Sequence, residues 1–268
     1  MNEAKLARIR IYPIKGLDPV ELNEVHVWKY SLLHDREFAM VAEDGTFVNG
    51  KSKFPVNLLK ATYQLEEQKV TLSNRDGSNQ QSFKLDENNQ ELIAYLSAFF
   101  KTNIRLIRST QGELMDIPKL SSITVVSTKS IQSLQKDFPD HALEDLRLRF
   151  RTNLELSTLE AFDEEDLFDK PGKGVHFTIG DVEFIGISSR ARCNVPPKDP
   201  MTGETDKSFV KKMMDSRKAS LPENNLLLAR GNYYQFTVDV FLPENQEGRI
   251  IRIGDEVKKI GVIDIKTN

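Results

Sequence analysis

The chain has 268 residues, of which 39% are hydrophobic and 29% are charged, and its formal net charge is −3. This balance is typical of a globular protein with one large or two modest domains, and it excludes a broad basic surface for nucleic acid or anionic membrane. No apolar run is long enough to span a bilayer, and the single cysteine, Cys193, excludes an internal disulfide and any metal centre made of cysteines alone. The opening residues lack the apolar core of a secretory signal, so we predict a cytoplasmic protein.

Short strands are predicted through most of residues 1–85. The segment ARIRIYPIK alternates Ile9 and Ile11 with arginines before a break at Pro13, which is typical of a half-buried strand. Two later segments each contain an Asp-Gly pair between apolar runs, a strong hairpin signal. These turns are at Asp44-Gly45 and Asp76-Gly77. Short strands at this spacing predict a barrel or a sandwich.

One helix is predicted in the segment NNQELIAYLSAFFKT. Asn88 or Asn89 can cap it, and an apolar stripe follows at helical spacing. The stripe consists of Leu92, Ile93, Leu96 and Phe99. After the strand IRLIR, the composition of STQGELMDIPKLSS is typical of a linker. We therefore predict two domains, residues 1–112 and 113–268.

The second half is predicted to be another strand-rich unit with peripheral helices. It begins with the strand SITVVS and the helix KSIQSLQKDF, and a hairpin is predicted around Gly180-Asp181. A second helix is predicted in KSFVKKMMDSRK, before the strands YYQFTVDVF and GRIIRIGDEVKKIGV. The alternation in LRLRFRTNLEL predicts a strand that presents Arg147, Arg149 and Arg151 on one face. The overall fold class is mostly β, with α and β elements combined.

Cys193 follows Arg190 and Arg192 in a loop rich in arginine, asparagine and proline. A lone cysteine is most often a small, inert apolar residue. In this setting, however, guanidinium groups would stabilise a thiolate, which is a nucleophile and a soft metal ligand. One thiolate cannot hold a bare metal ion, but it can supply one bond to a metal that an organic cofactor already carries. That interpretation requires the rest of the protein to bind the organic part.

Arginine and lysine residues could supply that binding. Arg147, Arg149 and Arg151 are either a solvated strand face or part of an anion site, because the guanidinium fork matches phosphate geometry. Together with Arg190, Arg192, Lys15 and Arg36, they are numerous enough for one phosphate-bearing cofactor. The DPMTG segment that follows Cys193 is predicted to turn the chain rather than to take part in catalysis.

Taken in order, several segments resemble the MOSC family, named for the C-terminal domain of molybdenum-cofactor sulfurase. The most similar branch is that of the mitochondrial amidoxime reducing component and its bacterial relatives. The matching segments are IYPIKG, HDREFAMVAEDGTFVNGKSKFP, FRTN, RCNVPPKDPMTG, and GNYYQF followed by GRIIRIGDEV. No single tetrapeptide is specific, but their order and spacing are. The resemblance implies an N-terminal β-barrel domain followed by a C-terminal MOSC β-barrel with peripheral helices.

The resemblance also implies a cofactor and a site. Cys193 would coordinate the metal of a molybdenum cofactor (Mo-molybdopterin), whose own dithiolene and oxo groups supply further ligands. The residues that match cofactor-contacting positions are Lys15, Gly16, Arg36, Arg151, Asn153, Ala191, Arg192 and Tyr233. Three departures from the family pattern bear on substrate specificity. They are Thr152 in place of proline, Lys51 in place of arginine, and the pair Pro196-Pro197 beside the metal position.

The activity implied is a molybdenum-dependent oxidoreductase that reduces small N-hydroxylated or N-oxygenated compounds with electrons from separate proteins. Neither nucleic acid nor membrane is an expected partner. A different class of function is a carrier, in which Cys193 holds a persulfide or the fold delivers molybdenum cofactor to other enzymes. A third possibility is a binding module without catalysis, which predicts no molybdenum and no effect of replacing Cys193.

Overall fold

The computed structural model describes residues 4–115, 117, 119–221 and 232–265. In the N-terminal part the strands are β1 (Lys5–Ile11), β2 (Val20–Leu22), β3 (Glu24–His26), β4 (Phe38–Ala42), β5 (Phe47–Val48), β6 (Leu59–Gln64), β7 (Lys69–Asn74), β8 (Gln81–Lys84) and β9 (Ile104–Arg108), with helix α1 at Gln90–Phe100. The later strands are β10 (Ile123–Ser127), β11 (Leu154–Ser157), β12 (Lys173–Ile179), β13 (Val182–Ala191), β14 (Gln235–Phe241), β15 (Ile250–Arg252) and β16 (Val257–Asp264). The helices of this part are α2 (Thr128–Gln135), α3 (Leu143–Phe150) and α4 (Phe209–Ser220), and short 3₁₀ turns lie at Val56–Leu58 and Asp163–Leu167.

The largest sheet has eight strands in the order β16-β12-β13-β14-β10-β11-β1-β2. Only the β10–β11 pair among these neighbours is parallel. The amide of Val257 donates to Ala4 O (2.8 Å), and the amide of Leu6 donates to Asp255 O (2.9 Å). Strand β1 therefore also bonds the start of β16, and the sheet curls round on itself in the manner of a barrel.

A second core lies among the remaining N-terminal strands. Sheets β5-β4-β9 and β6-β7-β8 pack with α1 around buried residues that include Phe38, Leu72 and Leu96. The helix is capped as its sequence predicts, because the Asn89 side chain accepts from the amides of Glu91 and Leu92. The mostly β fold with added helices is confirmed. Among the described residues no helix combines the length and apolarity needed to cross a bilayer.

The hairpins predicted at Asp-Gly and Gly-Asp turns are confirmed. Val41 pairs with Phe47 across the Asp44-Gly45 turn, and β7 pairs with β8 across Asp76-Gly77. Ile179 pairs with Val182 around Gly180-Asp181. Helices α2 and α4 also lie where the sequence predicts them, and Ser127 caps α2 by accepting from the amide of Lys129.

The predicted arginine-bearing strand is wrong. Residues Leu143–Phe150 form helix α3, and Arg151 ends it in the left-handed region at φ 52°. The apolar side chains of this helix join a cluster with the aromatic residues Phe138, Phe209 and Phe236. The three arginines therefore radiate from a helix end instead of sharing one strand face, and each has different neighbours.

Candidate functional site

One pocket between the N-terminal loops and the C-terminal sheet contains most of the predicted site. Six of the predicted residues line it: Lys15, Gly16, Arg36, Arg151, Arg192 and Cys193. The N-terminal part contributes the turn after β1 and a loop at residues 49–51, and the C-terminal part contributes the end of α3 and the loop after β13. Segments far apart in sequence therefore meet at one concave surface, as a cofactor site requires.

Gly16 occupies a position that admits no side chain. Its φ is +97°, and a Cβ built there would lie 2.9 Å from the Cα of Asn49. The neighbouring Lys15 donates from Nζ to Leu114 O at 2.9 Å, and Lys15 lies over the Phe47 ring. The turn after β1 thus brings backbone close to the pocket and holds a cation beside it.

Two arginines from different halves of the chain stack on one buried tyrosine. The guanidinium carbons of Arg36 and Arg151 lie 4.3 and 4.0 Å from the ring centroid of Tyr12. Arg36 also forms an ion pair with buried Asp35 at 2.5 Å and donates to Arg151 O at 3.2 Å. Burial raises the pKa of Tyr12, so its ring faces both cations as a neutral phenol. The Tyr12 ring is therefore in contact with both arginines.

Asn153 lies behind the pocket wall and does not line it. Its side-chain nitrogen donates to Asp35 Oδ2 and to Arg10 O, both at 3.0 Å, and its side chain is buried. Asp35 in turn holds Arg36 and accepts from the amide of Tyr12 at 2.8 Å. The structure thus places Asn153 as a support for the arginine and not as a pocket residue.

Cys193 lies half-buried at the start of the loop that follows β13. The amide of Arg192 donates to Tyr234 O at 2.9 Å, and the Tyr234 hydroxyl donates to Cys193 O at 3.0 Å. Tyr234, which sequence reasoning missed in favour of Tyr233, therefore supports the cysteine backbone. Ala191 is exposed at the end of β13, and neither it nor Tyr233 lines the pocket.

Arg192 is a half-buried cation with incomplete partners. Its Nη2 donates to Phe150 O at 2.8 Å, whereas its Nε is buried and has no hydrogen-bond partner among the described residues. Burial, with Arg190 nearby, lowers the pKa of Arg192 to about 10. Burial likewise lowers the pKa of Arg151, which donates to Leu17 O at 2.8 Å. Within the described part of the chain, neither arginine has a carboxylate partner at ion-pair distance.

Two other arginines of the pocket form ion pairs with neighbouring carboxylates. Arg190 pairs with Asp239 at 2.5 Å, and Arg75 pairs with Asp18 at 3.0 Å. Lys198 differs, because its Nζ donates to the carbonyl of Gly50 at 2.7 Å. Sequence reasoning missed Arg75 and Lys198 as pocket residues. Nothing local marks them, since only the meeting of the two halves brings them there.

Two family models match the chain. Residues 3–106 match the MOSC N-terminal beta barrel domain, and residues 118–258 match the MOSC domain. The chain belongs to the MOSC family.

Relatives of this MOSC protein include the molybdenum cofactor sulfurase of Caenorhabditis briggsae, 23% identical over 83% of the chain and 33% of that protein. The human molybdenum cofactor sulfurase is 22% identical over 81% of the chain and 29% of that protein. The chain thus spans about a third of the length of the curated relatives it matches. The crystal structure of the YUAD protein from Bacillus subtilis aligns over 98% of the chain and 97% of that protein with 12% identity. Its TM-score of 0.39 is too low to establish a shared fold.

The MOSC pocket is suited to an anion and to one soft metal bond. Its half-buried arginines favour negative charge, and the sulfur of Cys193 is a soft metal ligand. No cluster of three or more histidine, cysteine or carboxylate side chains that could hold a metal ion occurs in the ranges that the structure describes. A metal at Cys193 would therefore need its other ligands from a cofactor.

Proposed function

We propose that this MOSC protein binds a molybdenum cofactor in the pocket, with the Cys193 thiolate as the protein's ligand to the metal. The observation that carries the proposal is that the chain's single cysteine shares a pocket with Arg151 and Arg192, two half-buried cations without carboxylate partners in the described ranges. Burying an unpaired charge is costly, and an anionic ligand would offset that cost.

The residues present fit such a cofactor. Arg151, Arg36 and Lys15 offer the forked and point charges that bind phosphate. The unpartnered Nε of Arg192 is a donor that an acceptor of the ligand could satisfy. Gly16 allows close approach of the backbone, and Asp35 with Asn153 fixes Arg36. The protein's part is therefore to bind, orient and electrostatically tune the group.

The reaction proposed is the reduction of small N-hydroxylated or N-oxygenated compounds. The bound molybdenum would supply two-electron chemistry of oxygen removal. Reduction of an amidoxime consumes two electrons and two protons, converts N–OH to N–H, and releases one water. We propose that separate electron-transfer proteins supply the electrons. Lys51 and Val195 line the pocket from the two halves of the chain and would contact the substrate.

A carrier function is the second candidate. The relatives that match most of the chain are molybdenum cofactor sulfurases. This likeness favours a role in handling sulfur or in delivering the cofactor, with Cys193 holding a persulfide or the cofactor's metal. The same pocket would serve, because a persulfide anion is stabilised by neighbouring cations as a thiolate is.

The test is metal and pterin analysis of the purified protein, followed by benzamidoxime reduction with an artificial electron donor. We expect near-stoichiometric molybdenum and turnover, and Cys193→Ser should lose both. A stable persulfide on Cys193 by mass spectrometry, without turnover, would favour the carrier. Full activity and full molybdenum content in Cys193→Ser would exclude Cys193 as the ligand.

A further inference from the structure

The loop that carries Cys193 is held several residues beyond the thiol. Pro196 and Pro197 are buried, and the amide of Lys198 donates to Val195 O at 3.0 Å. The position of the thiol therefore depends on the segment from Pro196 to Asp199 as well as on the Tyr234 hydroxyl, which donates to Cys193 O at 3.0 Å.

Arg149 is the residue that reaches this segment from the core. It is buried near the end of α3, and three of its nitrogens have separate acceptors. Nη1 donates to Pro196 O at 3.0 Å, Nη2 to Asp199 Oδ2 at 3.5 Å, and Nε to Asp145 Oδ2 at 2.7 Å. Asp145 thus orients the guanidinium of Arg149, whose two other nitrogens donate hydrogen bonds to the loop.

Asp199 connects Arg149 to the rest of the site. Its Oδ1 accepts from the amides of Met201 and Thr202, both at 2.8 Å, which closes the Asp-Pro-x-Thr-Gly turn. Its backbone carbonyl accepts from Asn57 Nδ2, in the N-terminal part, at 2.9 Å. Helix α3, the turn and the N-terminal part therefore meet at one residue.

We infer that Arg149 is a positioning residue that fixes the Cys193 thiol through Pro196 and Asp199. The inference rests on the proposed role of Cys193 as the metal ligand, but the rigidity that it asserts belongs to the protein without cofactor. Arg149 would act on the thiol's position and accessibility, whether the thiol binds a metal or a persulfide sulfur.

Helix α3 offers a matched control in Arg147. This arginine is two residues away and also forms a paired interaction, donating to both carboxylate oxygens of Glu155 at 2.8 and 2.7 Å. It has no hydrogen bond to the Cys193 loop among the described contacts. Loss of Arg147 should therefore perturb the helix without releasing the loop.

The test measures alkylation of Cys193 by iodoacetamide in the cofactor-free full chain, which is free of background because the chain has one cysteine. We expect Arg149→Met to raise the rate by at least about fivefold, since it removes two hydrogen bonds to the loop and the loss of one changes a local opening equilibrium by about that factor. The alkylation rate of Arg149→Lys should lie between those of wild type and Arg149→Met, because lysine keeps the charge but its single nitrogen cannot reach all three acceptors that the guanidinium spans. Arg147→Met should leave the rate within about twofold of wild type.

Hydrogen exchange supplies a second readout, in which amides of residues 194–204 should lose protection in Arg149→Met only. Should Arg149→Met fail to fold, the comparison of Arg149→Lys with Arg147→Lys decides. Equal alkylation rates in the Arg149 and Arg147 variants would overturn the inference. If the loop is released in Arg149→Met but the purified wild-type protein contains no molybdenum, the positioning role of Arg149 is sustained and the proposed cofactor is rejected.

Discussion

Arg192 and Arg36 carry the same charge into one pocket but are balanced differently. Arg36 pairs with buried Asp35, whereas Arg192 has carbonyl partners and a buried Nε without one. A buried cation without a counter-charge costs stability, while a paired one leaves a buried acid behind when it is removed. The two residues therefore predict opposite effects of the same substitution.

We expect Arg192→Met to stabilise the cofactor-free protein by about 1–2 kcal/mol, because it removes a desolvated charge, and yet to weaken cofactor binding by at least about tenfold. Arg36→Met should destabilise the protein by about 3–5 kcal/mol, because Asp35 is left unpaired in the core. Thermal and urea unfolding, with molybdenum content per chain, measure both effects. A loss of stability in Arg192→Met as large as that in Arg36→Met would show that Arg192 is already neutralised.

At the residue scale the sequence predicted the members of the pocket better than their roles. Cys193, Arg192 and Lys15 line the pocket, and residue type with the order of the family motifs had singled them out. Asn153 matches the family motif, but its side chain faces Asp35, and an asparagine motif does not say which way its amide points. The choice of Tyr233 over Tyr234 failed to identify the hydroxyl that supports Cys193, because residue type alone does not say which of two adjacent tyrosines faces the Cys193 loop.

Among the elements, α3 shows where hydrophobic periodicity does not distinguish a helix from a strand. The sequence LRLRFRTNLEL alternates as a strand would, but Leu143, Leu146 and Phe150 also recur at helical spacing. Glu144 and Asp145 in the first turn favour the helix through its dipole, and the apolar face packs on an aromatic cluster from α4 and β14. When a short segment fits both the strand period and the helix period, packing partners distant in sequence decide its secondary structure.

The 3₁₀ turn at Asp163–Leu167 brings Glu164 under helix α2, where it accepts from the Ser130 hydroxyl at 2.7 Å. Burial raises the pKa of Glu164 to about 7 from 4.5, outweighing the Ser130 hydrogen bond, which acts in the opposite direction. Because the folded pKa is above the unfolded one, this group's contribution is complete below pH 4.5 and is lost as pH rises to about 7.

We therefore expect the wild-type protein to lose about 2–3 kcal/mol of unfolding free energy between pH 4.5 and 8 through this carboxyl. Glu164→Gln should remove that part of the slope and should be more stable than wild type at pH 8. Exposed Glu160, replaced in Glu160→Gln, serves as the control and should leave the slope unchanged. Urea unfolding across this pH range measures it, and identical slopes in wild type and Glu164→Gln would refute the assignment.

For the whole molecule, the two halves share a sheet that local patterns could not predict. Strand β1 pairs with both β11 and β2, and residues from 4 to 32 contribute to the main core. Strand β3 also pairs with β15 near the end of the chain. The β1–β11 and β3–β15 pairings join residues more than a hundred positions apart, and periodicity within a window carries no information about them. The alternation of β1 predicted a strand but not its partners.

This arrangement yields a prediction for a fragment of residues 113–268, the predicted C-terminal domain. Without residues 4–32 the main sheet loses β1 and β2, and apolar side chains such as Leu154 and Leu156 lose the neighbours Ile9 and Leu6. Each fully buried side chain of this kind contributes about 1.5–3 kcal/mol, so the loss exceeds the stability of a typical domain.

We expect the fragment to show no cooperative unfolding by circular dichroism, and a separate peptide of residues 1–33 to restore a transition. The peptide with Ile9→Lys and Ile11→Lys is the control and should fail to restore it, because both side chains are buried. A fragment that unfolds cooperatively on its own, within a few degrees of the full chain, would show that β1 is attached to the sheet without supporting it.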